Sequence, residues 1–161
     1  MVSCDKWNMG CNGGILSWAW SYLTKTGIVS ETCEPYTSFD GSTQQCASTC
    51  ADGSEFKKFK CTAGSVVEAK GVAQIKAELQ NGPVETGFTV YEDFMNYKEG
   101  IYHYTTGKQL GGHAVKIVGY GVDHWIIANS WSTQWGEQGF FRIGFGECGV
   151  DSAAYGCKPQ L

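Results

Sequence analysis

At residues 111–131 the chain reads GGHAVKIVGYGVDHWIIANSW. Two apolar runs in this stretch flank a glycine-containing turn near residues 121–122, and this pattern predicts a β-hairpin. If the turn is centred there, paired positions sum to about 242–244, and His113 then lies opposite residues 129–131. The sequence therefore predicts that the imidazole of His113 faces Asn129, with Trp131 beside the pair.

A histidine next to a buried asparagine has a specific chemical use. The side-chain oxygen of Asn129 accepts a ring N–H from His113, which fixes the tautomer and leaves the other ring nitrogen facing a nucleophile. The indole of Trp131 keeps water away from that hydrogen bond. Most single histidines are structural or lie on the surface, but Gly112 and Ala114 leave space beside this one. His113 and Asn129 are therefore candidate catalytic residues.

The rest of the sequence predicts helices in the first half and strands in the second. Leu16, Trp20 and Leu23 have helical spacing, which predicts a helix that stops at Gly27, and a second helix is predicted over 71–80. Strands are predicted at 84–91, 101–104, 114–120, 125–128, 140–145 and 153–155. This pattern is typical of an α+β chain.

Two parts are expected along the 161 residues. Residues 1–62 form a helical, cysteine-rich part, and residues 63–161 form a β-rich part that carries the histidine and asparagine. Eight cysteines favour an oxidising compartment and a disulfide framework. They include no CxxC pair, so neither a zinc site nor any other cofactor is expected.

Composition limits the kinds of partner. The formal net charge is −4, so no strongly basic face is implied, and neither nucleic acid nor an anionic membrane is an expected partner. No apolar run is long enough to span a bilayer.

Several ordered motifs resemble those of the papain-like cysteine peptidases. They are CNGG at 11–14, GGHAV at 111–115, NSW at 129–131, WGEQGFFRI at 135–143 and CGV at 148–150. Three more segments are specifically similar to the cathepsin B group: NGPVE at 81–85, VYEDF at 90–94 and YKEGIY at 97–102. The resemblance runs from end to end of the chain. It implies a papain-like fold, with an incomplete helical N-terminal half and an antiparallel, β-barrel-like C-terminal half.

The same resemblance implies roles for individual residues. His113 is the general base and imidazolium partner, Asn129 orients it, and Trp131 shields the pair. The backbone of Gly13 and Gly14 would hydrogen-bond an extended peptide or protein substrate. The pocket for the substrate side chain two residues before the cleaved bond would be lined by Leu16, Gly87, Ala114 and Ala153. Cathepsin B has an acidic residue where Ala153 stands, so an apolar side chain is expected there rather than arginine.

The nucleophile of the family lies in a Cys-Gly-Ser-Cys-Trp motif, which does not occur in this chain. The histidine follows that cysteine by about 130–150 residues, which places the cysteine before residue 1. The lack of an export signal and a start inside a family segment agree with this. We therefore expect a truncated sequence, whose cysteine comes from a longer polypeptide or a separate N-terminal light chain. The isolated chain is expected to be inactive.

The cysteine pairing is also implied by the resemblance. Cathepsin B pairing corresponds to Cys4–Cys46 and Cys33–Cys50, while a Cys61–Cys157 bond has no counterpart there and stays an open possibility. Cys11 would pair with a cysteine outside the chain. Cys148 stands at a position that is a free thiol in cathepsin B.

Cathepsin B also has a long insert with two histidines that closes one end of its cleft. The interval between Cys33 and Cys46 is short here and contains no histidine. An open cleft and endopeptidase activity are therefore expected of the complete protein. The alternative is a non-catalytic papain-like protein that acts as a structural or binding subunit. The family and the disulfides imply a lysosomal, vacuolar or extracellular location.

Overall fold

The computed structural model describes residues 1–160. In chain order, its helices are α1 (Leu16–Lys25) and α2 (Gly71–Glu78), and its strands are β1 (Lys60–Cys61), β2 (Val67–Ala69), β3 (Val84–Tyr91), β4 (Ile101–Tyr102), β5 (Gln109–Tyr120), β6 (His124–Ala128), β7 (Phe140–Gly144), β8 (Ala154–Gly156) and β9 (Pro159–Gln160). The chain divides into a first unit, residues 1–66 with those from 157 onward, and a second unit, residues 67–156. Over these 160 residues, neither helix is long and apolar enough to cross a membrane.

Disulfides hold the first unit together. The structure contains the bonds Cys4–Cys46, Cys33–Cys50 and Cys61–Cys157. The last of these lies beside the short ladder in which β1 pairs with β9. Residues 157–160 pack here with the first unit, whereas the sequence predicts that all of 63–161 belong to the β-rich part. Because few apolar side chains of this unit are fully buried, covalent links take the place of a large core.

Helix α1 ends where its sequence predicts. The backbone N–H groups of Thr26 and Gly27 both donate to the carbonyl oxygen of Tyr22, which closes the last turn. Gly27 has a φ of 78°, and a Cβ atom there would lie 2.6 Å from the carbonyl oxygen of Phe59. Only glycine tolerates both this positive φ and this close approach of the backbone. The next residue, Ile28, forms an antiparallel bridge with Phe59.

The second unit is a seven-stranded sheet with α2. Its strand order is β2-β8-β3-β5-β6-β7-β4, and every pair is antiparallel except β4 with β7. The sheet is open, so the expectation of a barrel-like half is wrong in this respect. Closure requires the two edge strands to pair. The edge strands β2 and β4 have only three and two residues, and no pairing joins them within residues 1–160.

The observed strands differ from the predicted ones mainly at their ends. β5 begins at Gln109 rather than residue 114, because the eight residues of β3 supply partners along that length. β4 stops at Tyr102 rather than residue 104, because the chain after it is held by side chains instead of a neighbouring strand.

Aromatic and branched aliphatic side chains fill the core of the second unit. The largest that are fully buried are Trp125, Phe94, Phe141, Ile75, Ile117, Ile127 and Ile143. The ring of Phe94 makes edge contacts with those of Phe88 and Phe141, at centroid distances of 5.1 and 4.9 Å. This core fixes the sheet face from which the site residues project.

Asp93 anchors the loop that follows β4. Its carboxylate accepts hydrogen bonds from the hydroxyl of Tyr102 at 2.6 Å, from the backbone and hydroxyl of Thr105 at 2.9 and 3.1 Å, and from the backbone of Thr106 at 3.2 Å. Desolvation raises the pKa of Asp93, but these four donors outweigh it and lower the pKa to about 2.

We predict that Asp93→Asn lowers the free energy of unfolding more at about pH 5 than at about pH 2. Asp93 has a folded-state pKa below its ordinary value of 3.8, so its stabilisation is present above about pH 4 and is lost as pH falls through about 2. Urea denaturation of both proteins at the two pH values measures this. Glu99→Gln, at an exposed carboxylate of the same unit, serves as the control. An equal loss at both pH values would contradict the anchoring role.

Candidate active site

His113 lies on β5, directly opposite Phe88 of β3 in the antiparallel ladder. The imidazole is half-buried, with the edge of the Phe88 ring at a centroid distance of 6.0 Å. Its neighbours Gly112 and Ala114 carry little or no side chain on the opposite face. The contact with Phe88 therefore fixes the position of the ring, while part of the ring stays accessible to solvent.

A hydrogen bond joins His113 to Asn129. The distance from Nε2 of the ring to Oδ1 of the amide is 2.9 Å. The backbone N–H of Ser130 also donates to this Oδ1, at 2.8 Å, which fixes the oxygen rather than the nitrogen on this side of the amide. His113 therefore donates from Nε2, and Nδ1 is the ring nitrogen left for chemistry. The hairpin geometry expected from the sequence brings these two side chains together.

The amide nitrogen of Asn129 differs from the amide oxygen in its hydrogen bonding. Nδ2 is buried and has no acceptor among residues 1–160.

Trp131 covers the His113 imidazole. The two rings are stacked, with centroids 5.0 Å apart and planes inclined by 24°. Trp131 in turn makes an edge contact with Trp135 at 5.1 Å and with Phe94 at 5.7 Å. The indole is thus held by the core and covers one face of the imidazole. That it keeps water away from the hydrogen bond stays a prediction.

An ion pair supports the loop that carries these two tryptophans. The carboxylate of Glu137 accepts a hydrogen bond at Oε2 from Nε of Arg142, at 3.0 Å, and one at Oε1 from Nη2 of Arg142, at 2.5 Å. It accepts another from the backbone N–H of Gly100 at 3.0 Å. These donors, with Arg142 the largest contributor, lower the pKa of Glu137. The loop between Trp131 and β7 is therefore fastened to the chain that leads into β4.

The three predicted pocket residues of the second unit lie near one another. Gly87 pairs with Ala114 across β3 and β5. The buried hydroxyl of Thr86 lies 2.6 Å from the carbonyl oxygen of Val150 and 3.0 Å from that of Ala153, which ties this segment to β3. The structure therefore places these three small, apolar residues near one another. Thr86, which the sequence did not single out, connects the segment that contains Ala153 to β3.

The remaining predicted substrate residues belong to the first unit. Gly13 is tied into a turn through both of its backbone groups. Gly14 forms no described backbone hydrogen bond within residues 1–160, and a Cβ atom on it would lie 2.4 Å from Oδ1 of Asn8. Leu16 is the first residue of α1. The backbone of Gly14 is therefore exposed, with its donor and acceptor available.

Cys148 differs from an activated nucleophile. Six cysteines are in disulfides, which leaves Cys11 and Cys148. Burial, together with the charges of Glu147 and Asp93, raises the pKa of Cys148 to about 11, while a hydrogen bond with Tyr102 opposes this. Cys148 is therefore protonated at neutral pH, the opposite of a reactive thiolate.

Sequence reasoning missed several supporting residues. Phe88 contacts the His113 ring, Ser130 holds the Asn129 amide, and Thr86 ties down the segment that contains Ala153. Residues of these three types are common in sequences of this composition. Only the pairing register shows that Phe88 faces His113. The Glu137–Arg142 spacing of five residues carries no signal by itself, because it depends on the turn before β7.

A family model and several known proteins are similar to this chain. The family model "Papain family cysteine protease" matches residues 1–157. "Cathepsin B-like CP3" of Giardia intestinalis is 45% identical over 165 residues, covering 97% of this chain and 55% of that protein. "Cathepsin B" of Dictyostelium discoideum is 41% identical over 169 residues, covering 93% and 54%. The structure of "proCathepsin B S9 from Trypanosoma congolense" gives a TM-score of 0.88 at 35% identity, covering 99% and 58%. The chain thus spans about half the length of these curated relatives.

We predict that Asn129→Ala removes the preference of His113 for the Nε2–H tautomer, because the amide oxygen is the described acceptor for that proton. Nitrogen-15 chemical shifts of the imidazole at a pH where it is neutral report the tautomer directly. Asn81→Ala, whose exposed amide bonds only to Glu78, is the matched control. Unchanged imidazole shifts in Asn129→Ala would show that the hydrogen bond does not fix the ring.

Proposed function

The chain belongs to the papain family of cysteine proteases, and from this premise we propose that it forms the histidine- and asparagine-bearing part of a cathepsin B-like cysteine endopeptidase. The observation that carries the proposal is the 2.9 Å hydrogen bond between His113 and Asn129 beneath the Trp131 ring. This arrangement leaves Nδ1 of a tautomer-fixed imidazole beside solvent and shields the other nitrogen.

In the proposed reaction, His113 and a cysteine form a thiolate–imidazolium pair. The thiolate sulfur attacks the carbonyl carbon of a peptide bond, and the imidazolium gives its Nδ1 proton to the amine that leaves as the C–N bond breaks. Nδ1 then takes a proton from the water that hydrolyses the thioester, and the thiolate is released. Throughout, the Nε2–H group stays hydrogen-bonded to Asn129, which stabilises the imidazolium.

The nucleophile in this proposal comes from polypeptide outside residues 1–161. The described disulfides use six cysteines, and the raised pKa of Cys148 makes it a poor nucleophile. Cys11 would pair with a cysteine outside the chain. The missing cysteine would lie either on the same, longer polypeptide or on a separate light chain. The isolated chain is then inactive.

The substrate would be an extended peptide or protein segment. The free backbone groups of Gly14 suit β-type hydrogen bonding to a peptide main chain, and the absence of a side chain allows close approach. Gly87, Ala114 and Ala153 offer an apolar rather than acidic surface to the side chain two residues before the cleaved bond, and Leu16 of the first unit is apolar as well. The disulfides and the family suit a lysosomal, vacuolar or extracellular location.

We predict that the 161-residue chain alone does not hydrolyse a fluorogenic dipeptide faster than its His113→Ala variant. Adding the N-terminal segment that carries the cysteine, in one chain or as a second one, restores turnover. Asn129→Ala then lowers kcat/KM about tenfold or more, because a proton-transfer group loses its orientation. Initial rates of fluorescence increase measure all three effects.

Two results would count against the proposal. Turnover by the chain alone, lost in His113→Ala, would contradict the external nucleophile. No turnover by the complete polypeptide, with its cysteine unmodified, would favour the non-catalytic structural or binding subunit instead.

We predict that Ala153→Glu in the complete enzyme moves substrate preference from an apolar side chain to arginine two residues before the cut. The ratio of kcat/KM for arginine over phenylalanine should rise about tenfold or more, since a new carboxylate pairs with the guanidinium. Ser152→Glu, at an exposed neighbouring position, is the control. An equal rise in both variants would indicate general charge attraction and not a pocket wall.

A further inference from the structure

The core face of β3 carries one hydroxyl group among apolar side chains. Alternate residues of this strand are buried, and they are Val84, Thr86, Phe88 and Val90. Thr86 has 0% exposure. Burying a hydroxyl costs free energy unless it is hydrogen-bonded, so an apolar residue such as valine would suit this face better. The threonine at this position therefore indicates a specific contact.

Two carbonyl oxygens of one segment lie within reach of this hydroxyl. Oγ1 of Thr86 is 2.6 Å from the carbonyl oxygen of Val150 and 3.0 Å from that of Ala153. The hydroxyl has a single proton, which the shorter contact directs to Val150, with Ala153 as the second acceptor. Val150 also has 0% exposure, so solvent water cannot replace this donor.

The regular pairing of β3 with β8 stops short of Ala153. β8 begins at Ala154, and the last pair of its ladder with β3 is Thr86 with Ala154. Continued by one position, this register sets Ala153 opposite Gly87, which pairs on its other side with Ala114. The three small residues then form one row across the sheet, but the one at the end of the row lies outside the described ladder.

The segment that leads to Ala153 belongs to no strand. Its middle is held by Gly71, whose backbone N–H donates to the carbonyl oxygen of Asp151 at 2.8 Å. That hydrogen bond does not include Ala153, whereas the Thr86 hydroxyl contacts Ala153 directly. Thr86 is thus the side chain that joins the last residue of this segment to β3.

We propose that Thr86 is a positioning residue that determines specificity: its hydroxyl holds Ala153 in the row with Gly87 and Ala114, which receives the substrate side chain two residues before the cleaved bond. This role rests on the function proposed above. Thr86 does not contact the substrate, because its side chain is buried on the opposite face of β3 from Gly87. A surface whose residues are held by buried hydrogen bonds discriminates between side chains by size, whereas a mobile one does not.

Two substitutions of Thr86 in the complete polypeptide separate the effect of the hydroxyl from that of side-chain shape. Thr86→Val keeps the branched shape and removes the hydroxyl, whereas Thr86→Ser keeps the hydroxyl and removes a methyl group. Thr24→Val is the matched control, because it removes a hydroxyl that bonds to the carbonyl oxygen of Trp20 in α1.

Amide hydrogen exchange measures whether the segment is held. The N–H groups of Val150 and Ser152 bond to the carbonyl oxygens of Glu147 and Gly149, each at 3.0 Å. Relative to the amides of β6, which report opening of the whole unit, both should exchange about tenfold faster or more in Thr86→Val. The other two variants should exchange at nearly the parent's rate. Equal exchange in Thr86→Val and the parent would overturn the proposal, whether or not the protein is active.

Substrate selectivity measures whether the held segment matters to the reaction. Fluorogenic dipeptides with phenylalanine or alanine two residues before the cut give a ratio of kcat/KM values. This ratio should fall about tenfold or more in Thr86→Val and stay within about twofold of the parent in the other two variants. The larger side chain contacts more of the row and loses more when Ala153 moves. A simple loss of folded enzyme lowers both rates equally and leaves the ratio unchanged.

The two measurements also separate this proposal from the proposed function. No turnover by the parent would contradict the proposed function and with it the specificity role, while faster exchange in Thr86→Val would still support the tether to β3. In an active enzyme, an unchanged selectivity ratio in Thr86→Val, or an equal fall in Thr86→Ser, would overturn the specificity role.

Discussion

The hydrogen bond from Nε2 of His113 to Oδ1 of Asn129 is the interaction on which the functional interpretation rests. It exists because β5 pairs on one side with β3 and on the other with β6, so that the residue before Ala114 and the residue after Ala128 converge. The β5–β6 ladder shifts register between Ile117 and Gly119, and its last described pair is Lys116 with Ala128. The histidine and asparagine therefore meet just beyond the regular ladder, where side chains rather than backbone groups make the contact.

The two units are stabilised by different means, and this affects what each can contribute. The second unit has a continuous aromatic and aliphatic core, against which the Trp131 indole packs and whose Phe88 ring contacts the His113 imidazole. The first unit has few buried apolar side chains and three disulfides. A covalent framework fixes loops without filling them, which is consistent with the cavity of about 170 Å³ beside the Cys4–Cys46 disulfide.

Much of the second unit could be predicted from the sequence because its signals are local. Alternating and continuous apolar runs located the long strands. The turn is centred about one residue later than predicted, because Tyr120 pairs with Trp125. The register shift between Ile117 and Gly119 then restores the pairing that brings His113 to Asn129. The open sheet and the parallel β4–β7 pair could not be predicted, because strands of two and three residues carry no periodicity. The contact of Thr86 with Val150 and Ala153 was missed for a related reason, since it joins residues that are 64 and 67 positions apart and depends on the pairing of β3 with β8.

The orientation of the imidazole limits where the rest of a catalytic site can be. Asn129 and Ser130 fix Oδ1 toward Nε2, and Trp131 covers the ring face, so proton transfer must occur at Nδ1. A sulfur that approaches Nδ1 has to come from a segment outside the β5–β6 hairpin, because that hairpin already supplies the histidine and the asparagine. Cys148, with its pKa raised to about 11 by burial and acidic neighbours, has the electrostatics of a structural thiol. In the proposed reaction, the chain would therefore supply an oriented base with one covered ring face, and the reactive sulfur would come from another segment.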